Sequence, residues 1–150
     1  MVKIKDIMTA INEKLVEAYP DYMVYTKYNP KDFKRPSFLL EFIRRTQNDI
    51  CLTSVEKTVY FTITCFTKVD KYNISDPEEL ADLQEGVIQL FDNGYVVVGE
   101  RAIKVKSSAG GMDDDCAYVD LQFEFVDNRV DATKEIPAMA EIKTRMEVEK

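Results

Sequence analysis

Residues 116–126 read CAYVDLQFEFV, and this stretch decides the fold. Ala117, Val119, Leu121, Phe123 and Phe125 alternate with Tyr118, Asp120, Gln122 and Glu124. Period two with one apolar side is the signature of a strand that buries one face and leaves the other solvated, the habit of antiparallel sheets. A partner strand is legible in residues 50–66, where Val59, Phe61, Ile63 and Cys65 alternate with Tyr60, Thr62, Thr64 and Phe66. Both sides of that strand carry β-branched or aromatic residues, which predicts a central position covered on both faces.

Working outward, residues 36–46 repeat the strand pattern, with Phe38, Leu40 and Phe42 on one side and Leu39, Glu41 and Ile43 on the other. Gln47-Asn48-Asp49 then reads as a turn. Residues 22–28, 95–98 and 102–105 are shorter strand segments, and residues 29–35 form a polar loop. Two helices complete the set. Ile4, Ile7, Met8, Ile11 and Leu15 make one apolar stripe over residues 3–18, ended by Tyr19-Pro20. The second opens at Ser75-Asp76-Pro77-Glu78, read as a capping box on Ser75, buries Leu80, Leu83, Val87, Leu90 and Phe91, and stops at Gly94. Residues 107–115 are expected to be a loop because they hold Gly110-Gly111 and Asp113-Asp114-Asp115. In the tail, Ala138, Ala140, Ile142, Thr144, Met146 and Val148 fall on alternate positions, predicting a terminal strand. The order α-β-β-β-α-β-β-β-β predicts an α+β fold, a mostly antiparallel sheet with two main helices packed on it. Residues 1–127 are read as the domain and residues 128–150 as a C-terminal arm, a strand able to pair with another chain.

Composition narrows the function. The chain has 150 residues, 45% of them hydrophobic and 31% charged. That is enough to bury about 70% of the unfolded surface in one core. There is no histidine, which removes the commonest general base and metal ligand. The net charge of −7 argues against a general nucleic-acid surface. Three cysteines without CxxC spacing suit a reducing compartment, with Cys65 as a small buried hydrophobe. Charges from the first residues onward and the lack of a long apolar run lead us to expect no signal peptide, no membrane span and a cytosolic protein.

Four constellations could carry chemistry. Asp113, Asp114 and Asp115, with Asp120 and Glu124 nearby, resemble a divalent-cation site of a nuclease. A solvated hairpin tip is the preferred reading, because adjacent residues point in different directions and seldom converge on one ion. Lys31, Lys34, Arg35, Arg44 and Arg45, interleaved with Tyr28 and Phe33, could hold phosphates and stack bases, or simply be charges on a loop and strand ends. Cys51, Cys65 and Cys116 have no histidine to activate them, and Gly110-Gly111 is followed by neither a lysine nor a helix start. No catalytic residue, metal site or cofactor is expected. Aromatic surface and strand edges favour an interaction module over an enzyme.

The sequence resembles a known family at this point. A helix with Ile4, Ile7, Ile11 and Leu15 closes at Tyr19-Pro20 and leads to Val24-Tyr25. Phe33-Lys34-Arg35-Pro36-Ser37-Phe38 then runs into a strand, followed by Val59-Tyr60-Phe61-Thr62-Ile63, a mid-chain helix, a Gly/Asp loop, the strand at 117–125 and a Met139-x-x-Ile142 tail. This pattern is similar to the tail terminator (tail completion) proteins of tailed bacteriophages and phage-derived contractile particles. The resemblance implies a virion structural protein, assembled in the host bacterial cytoplasm, that forms a homohexameric ring. Such a ring caps the tail tube, ends its polymerisation, and meets the head–tail connector and, in contractile tails, the sheath protein. Another neck or head–tail joining component is the alternative within that setting. Within this frame Gly110, Gly111, Asp113, Asp114 and Asp115 are expected to face the lumen or the tube. Phe33, Lys34, Arg35, Ile142 and Met146 are expected at subunit contacts, with no membrane and no specific nucleic acid as partner.

Overall fold

The computed structural model describes residues 2–26 and 34–128. The elements run α1 (Ile4–Ala18), β1 (Met23–Tyr25), β2 (Ser37–Asp49), β3 (Ser54–Phe66), α2 (Pro77–Gln89), β4 (Tyr95–Val98), β5 (Arg101–Met112) and β6 (Cys116–Asn128). They form one six-stranded sheet in the order β1-β2-β3-β6-β5-β4. Every neighbouring pair is antiparallel apart from β1 with β2. The α+β architecture expected from the sequence is therefore observed, in the expected element order through β6. The seventh strand, with Ile142 and Met146, lies outside the described residues.

β3 and β6 pair without interruption from Ser54–Asn128 to Phe66–Cys116 and form the centre of the sheet. On one face Val59, Phe61, Ile63 and Cys65 lie level with Phe123, Leu121, Val119 and Ala117, all almost wholly buried. Phe61 and Phe123 meet edge to face, 5.9 Å between ring centres. Both helices cover this face. α1 contributes Ile7, Ala10, Ile11 and Leu15, and α2 contributes Leu83 and Val87 to the same cluster. Burying each such large side chain stabilises the fold by about 1.5–3 kcal/mol. No helix among the described residues covers the opposite face, where Tyr60, Thr62, Tyr118 and Gln122 are half buried and Thr58, Thr64 and Phe66 are buried. The expectation that β3 is covered on both sides thus holds fully for one face and only in part for the other, because both helices lie on the same side.

Several local expectations are corrected. Asp76, not Ser75, caps α2: its side chain accepts from the Glu78 N–H at 3.0 Å, with Pro77 in the first turn. The Ser75 N–H is instead committed to the Asp114 carbonyl at 2.8 Å, so the capping role passes one residue along. β2 continues through the expected turn at 47–49 to Asp49. β6 continues past the expected end at Val126 to Asn128.

The largest correction concerns residues 107–115. β5 extends through them to Met112, leaving only Asp113, Asp114 and Asp115 as the connection to β6. Gly110 and Gly111 sit in the strand where the β5–β6 register shifts, between Ala109 and Met112. A Cβ on Gly110 would lie 2.8 Å from Tyr118 Cβ and 3.2 Å from the Tyr118 carbonyl, so the glycine permits a close backbone approach. At Gly111 the nearest such contact is 4.0 Å.

At the other end of β6, Asp127 is buried and accepts from the Val2 backbone N–H at 3.0 Å. Lys57 and Arg101 lie 3.4 Å and 3.5 Å from its carboxylate. Burial alone would raise this carboxyl, but the N–H groups of Val2 and Asn128 and the Lys57 ammonium outweigh it and hold it below its ordinary value.

Two outcomes test these packing arguments. Gly110→Ala should destabilise the fold by about 1–3 kcal/mol in denaturant titration, whereas Gly111→Ala should stay within about 0.5 kcal/mol of wild type. Asp127→Asn should cost on the order of 3 kcal/mol at neutral pH, since it leaves Lys57 buried without its counter-charge. Because the folded carboxyl is depressed, its contribution is complete above the unfolded value of about 4 and is lost as the pH falls below it. The stability gap between Asp127→Asn and wild type should accordingly narrow in acid; a gap that widens would refute the assignment.

Candidate assembly surfaces

The sequence-predicted acidic loop is built from three carboxylates with different duties. The Asp113 carboxylate accepts from the Tyr118 hydroxyl at 2.7 Å, and its N–H closes the turn on the Cys116 carbonyl at 2.8 Å. The hydrogen bonds that Tyr118 makes with Cys116 and with Asp113 push its phenol well above the ordinary range. Asp114 is exposed, while its carbonyl holds Ser75. Asp115 binds Arg35, with the guanidinium 2.8 Å from its carboxylate. Consecutive residues in a turn diverge, and among the described residues no group of three His, Cys, Asp or Glu side chains is placed to hold a metal.

Arg35 turns out to be an internal clamp. Its guanidinium donates to the Thr67 and Asp115 carbonyls at 3.0 Å and 2.9 Å and lies 5.1 Å from the centre of the Phe66 ring. It thereby ties the entry to β2, the exit of β3 and the β5–β6 connection together, and it is mostly buried. Expected at a subunit contact, Arg35 has its guanidinium engaged within the fold, where three acceptors and a ring converge on it. Lys34 is exposed, and its backbone N–H donates to the Tyr25 hydroxyl at 3.0 Å. Phe33, Tyr28 and Lys31 lie outside the described residues. The remaining basic residues stand apart: Arg44 stacks on Tyr60, 4.4 Å from the ring centre, and Arg45 is exposed. The predicted basic and aromatic cluster is therefore split between a buried clamp and the middle of β2.

Two surfaces were not singled out from the sequence. The helix-free face of the sheet forms an open trough of about 580 Å³ lined by residues of all four long strands, among them Arg44, Tyr60, Thr62, Lys106, Asp120 and Gln122. Its polar groups largely satisfy one another: Thr62 donates to Asp120 at 2.9 Å, Gln122 to Glu124 at 2.8 Å, and Lys106 lies 3.5 Å from Glu124. The arrangement offers a water-compatible surface, without a base aligned on a nucleophile.

The second is the β2–β3 hairpin. β2 is buried only as far as Leu40, and everything from Glu41 to Asp49 is exposed. A β-bulge at Ile43 marks the change. Phe42, Ile43, Ile50 and Leu52 present apolar surface, with Leu52 60% exposed. Cys51 stands at the tip, and hydrogen bonds from Thr53 and Ser54 lower its thiol to about 7. Cys65 is pushed by burial up to about 12. The period-two pattern in 36–46 signalled the strand, but no pattern signals that β2 is exposed beyond Leu40.

The deciding comparison concerns the whole chain. A sequence model described as phage tail terminator protein matches residues 6–135. This chain belongs to the phage tail terminator family. No curated protein matches it. Membership makes it a structural component of the virion tail with a tail-completion role, in contact with other tail components. Among its described residues no helix is long and apolar enough to cross a membrane. The described surfaces of this terminator include strand edges, a hairpin tip and a polar sheet face.

The cysteines give a direct check on the hairpin tip. At pH 7.5 iodoacetamide should add once, at Cys51, leaving Cys65 and Cys116 unmodified in the folded protein as read by intact mass and peptide mapping. Thr53→Val should slow that addition and move its pH midpoint upward; an unchanged midpoint would mean that Thr53 does not hold the thiolate.

Proposed function

We propose that this terminator subunit joins copies of itself into a ring, hexameric as the resemblance implies. The ring caps the last layer of the tail tube and stops its polymerisation. The opposite side of the ring meets the head–tail connector and, where the tail is contractile, the topmost sheath protein. The observation that carries the tube-docking part is the projecting hairpin. Phe42 and Ile43 on the outer strand β2, and Ile50 and Leu52 at the tip, expose apolar surface that a second surface would remove from water. Ring closure needs two unlike patches on each subunit, and the sheet supplies unlike margins at β2 and β5.

Asp113 and Asp114, exposed at the end of β5, are placed in this reading where the subunit boundary meets the lumen or tube, with Gly110 and Gly111 in the strand that leads to them. Asp115 acts from within through Arg35. Residues 129–150, including Ile142 and Met146, are proposed as an arm that contacts a neighbouring subunit. The net charge of −7 suits a channel past which DNA slides without adhering.

The test is polymerisation of purified tail tube protein in the presence of this chain. Added terminator should shorten the tubes and appear at one end by negative-stain microscopy. Ile50→Asp with Leu52→Asp should abolish capping while leaving the unfolding midpoint within about 2 °C, because both residues are exposed. Tube lengths that do not respond to the wild-type chain overturn the capping reading.

A further inference from the structure

We propose that neighbouring copies join edge to edge: the outer margin of β2 on one copy pairs antiparallel with the outer margin of β5 on the next, continuing a single sheet from subunit to subunit. This rests on the ring reading above and supplies the contact that closes it.

Each margin of the sheet is only partly covered. β1 pairs with β2 at Ser37, Phe38 and Leu39 alone, so residues 41–48 have no strand on their outer side among the described residues. At the other margin β4 pairs with β5 from Arg101 to Lys104, and the Val105 N–H donates to the Gly94 carbonyl. Residues 106–112 then have no strand beside them among the described residues. A long uncovered margin leaves ladder N–H and C=O groups to water and invites pairing, and proteins commonly shorten or cover it. Here two runs of similar length remain open.

The runs also fit each other. Matching registers place Phe38, Cys65, Ala117 and Met112 on one line across the sheet, and Arg44, Tyr60, Gln122 and Lys106 on another. β1 therefore covers β2 at the end where β5 is open, and β4 covers β5 at the end where β2 is open. A neighbouring β2 can enter the space beside β5 that β4 leaves, while its own β1 passes beyond Met112. Three antiparallel steps separate β2 from β5 within the sheet, so they run in opposite directions. A rotated copy in the same orientation thus brings β2 antiparallel to β5.

Side chains select this pairing over its rivals. The open run of β5 carries Ser107, Ser108, Ala109, Gly110 and Gly111, whose small side chains allow close approach. In antiparallel alignment Arg44 and Arg45 of the neighbour come alongside Gly110, Gly111 and Met112, next to the exposed Asp113 and Asp114. A two-fold pairing of β2 with β2 about the middle of its open run would instead set Arg44 and Arg45 against their own copies, a like-charge contact across strands.

Cysteine cross-linking in the full chain tests the pairing. In a Cys51→Ser background, Thr46→Cys combined with Ala109→Cys, or Arg45→Cys combined with Gly111→Cys, should give a ladder of covalent oligomers on mild oxidation. Neither member of a pair should do so alone. Arg45→Glu should weaken association by about tenfold, the scale of one interfacial ion pair, and Asp114→Lys in the same chain should restore it. Circular dichroism confirms that each variant is folded. Efficient dimers from Thr46→Cys alone would show β2 pairing with itself and overturn the proposal. So would rings seen by native mass spectrometry that never cross-link through either pair, or a wild-type chain that remains monomeric. The capping reading stands or falls separately on tube length.

Discussion

The pairing of β3 with β6 is the constraint on which the rest of the molecule depends. Thirteen residues of each strand align without a slip, so every inward residue of one faces an inward residue of the other. A shift of one residue would turn Phe61, Ile63, Leu121 and Phe123 to the solvated face and expose the helices' apolar stripes together with them. β2 and β5 are positioned against this pair, and the helices are positioned by the floor that it provides.

A one-sided helix layer then determines what the protein can offer to others. Because α1 and α2 both cover the face carrying Phe61 and Phe123, the reverse face stays polar and self-satisfied. Because β2 lies towards the margin of the sheet, it is exposed from Glu41 onward, and the β2–β3 tip presents apolar residues, while β3 itself is largely buried from Val55. Arg35 secures the opposite end, where the chain enters β2, leaves β3 and turns from β5 into β6. A tail-completion protein with such a build acts through edges and projections held on a rigid floor.

Much of this was legible before the structure. Strict alternation in 116–126 and in 59–66 and the Ile7, Ile11 and Leu15 stripe appear where the pattern placed them, since burial on one face imposes its period directly on the chain, whereas α2 ends at Gln89, before the expected stop at Gly94. The misread positions share a cause. Gly110-Gly111 looked like a loop because glycine usually marks one, but the residue there answers to Tyr118 across the ladder. Ser75 looked like a cap, but its N–H is claimed by Asp114, far along the chain. Arg35 looked like a surface cation and is a buried one.

The sequence alone determined the elements, the α+β class and the apolar face of each strand, because local periodicity and the need to hide apolar side chains act within short segments. It also carried the family resemblance through their order. Only the tertiary structure decided which margins of the sheet remain open among the described residues, that β2 is exposed beyond Leu40 while its partner β3 is buried, and that three adjacent aspartates serve different partners. Those outcomes depend on pairings between residues tens of positions apart, for which no short stretch of chain holds the information.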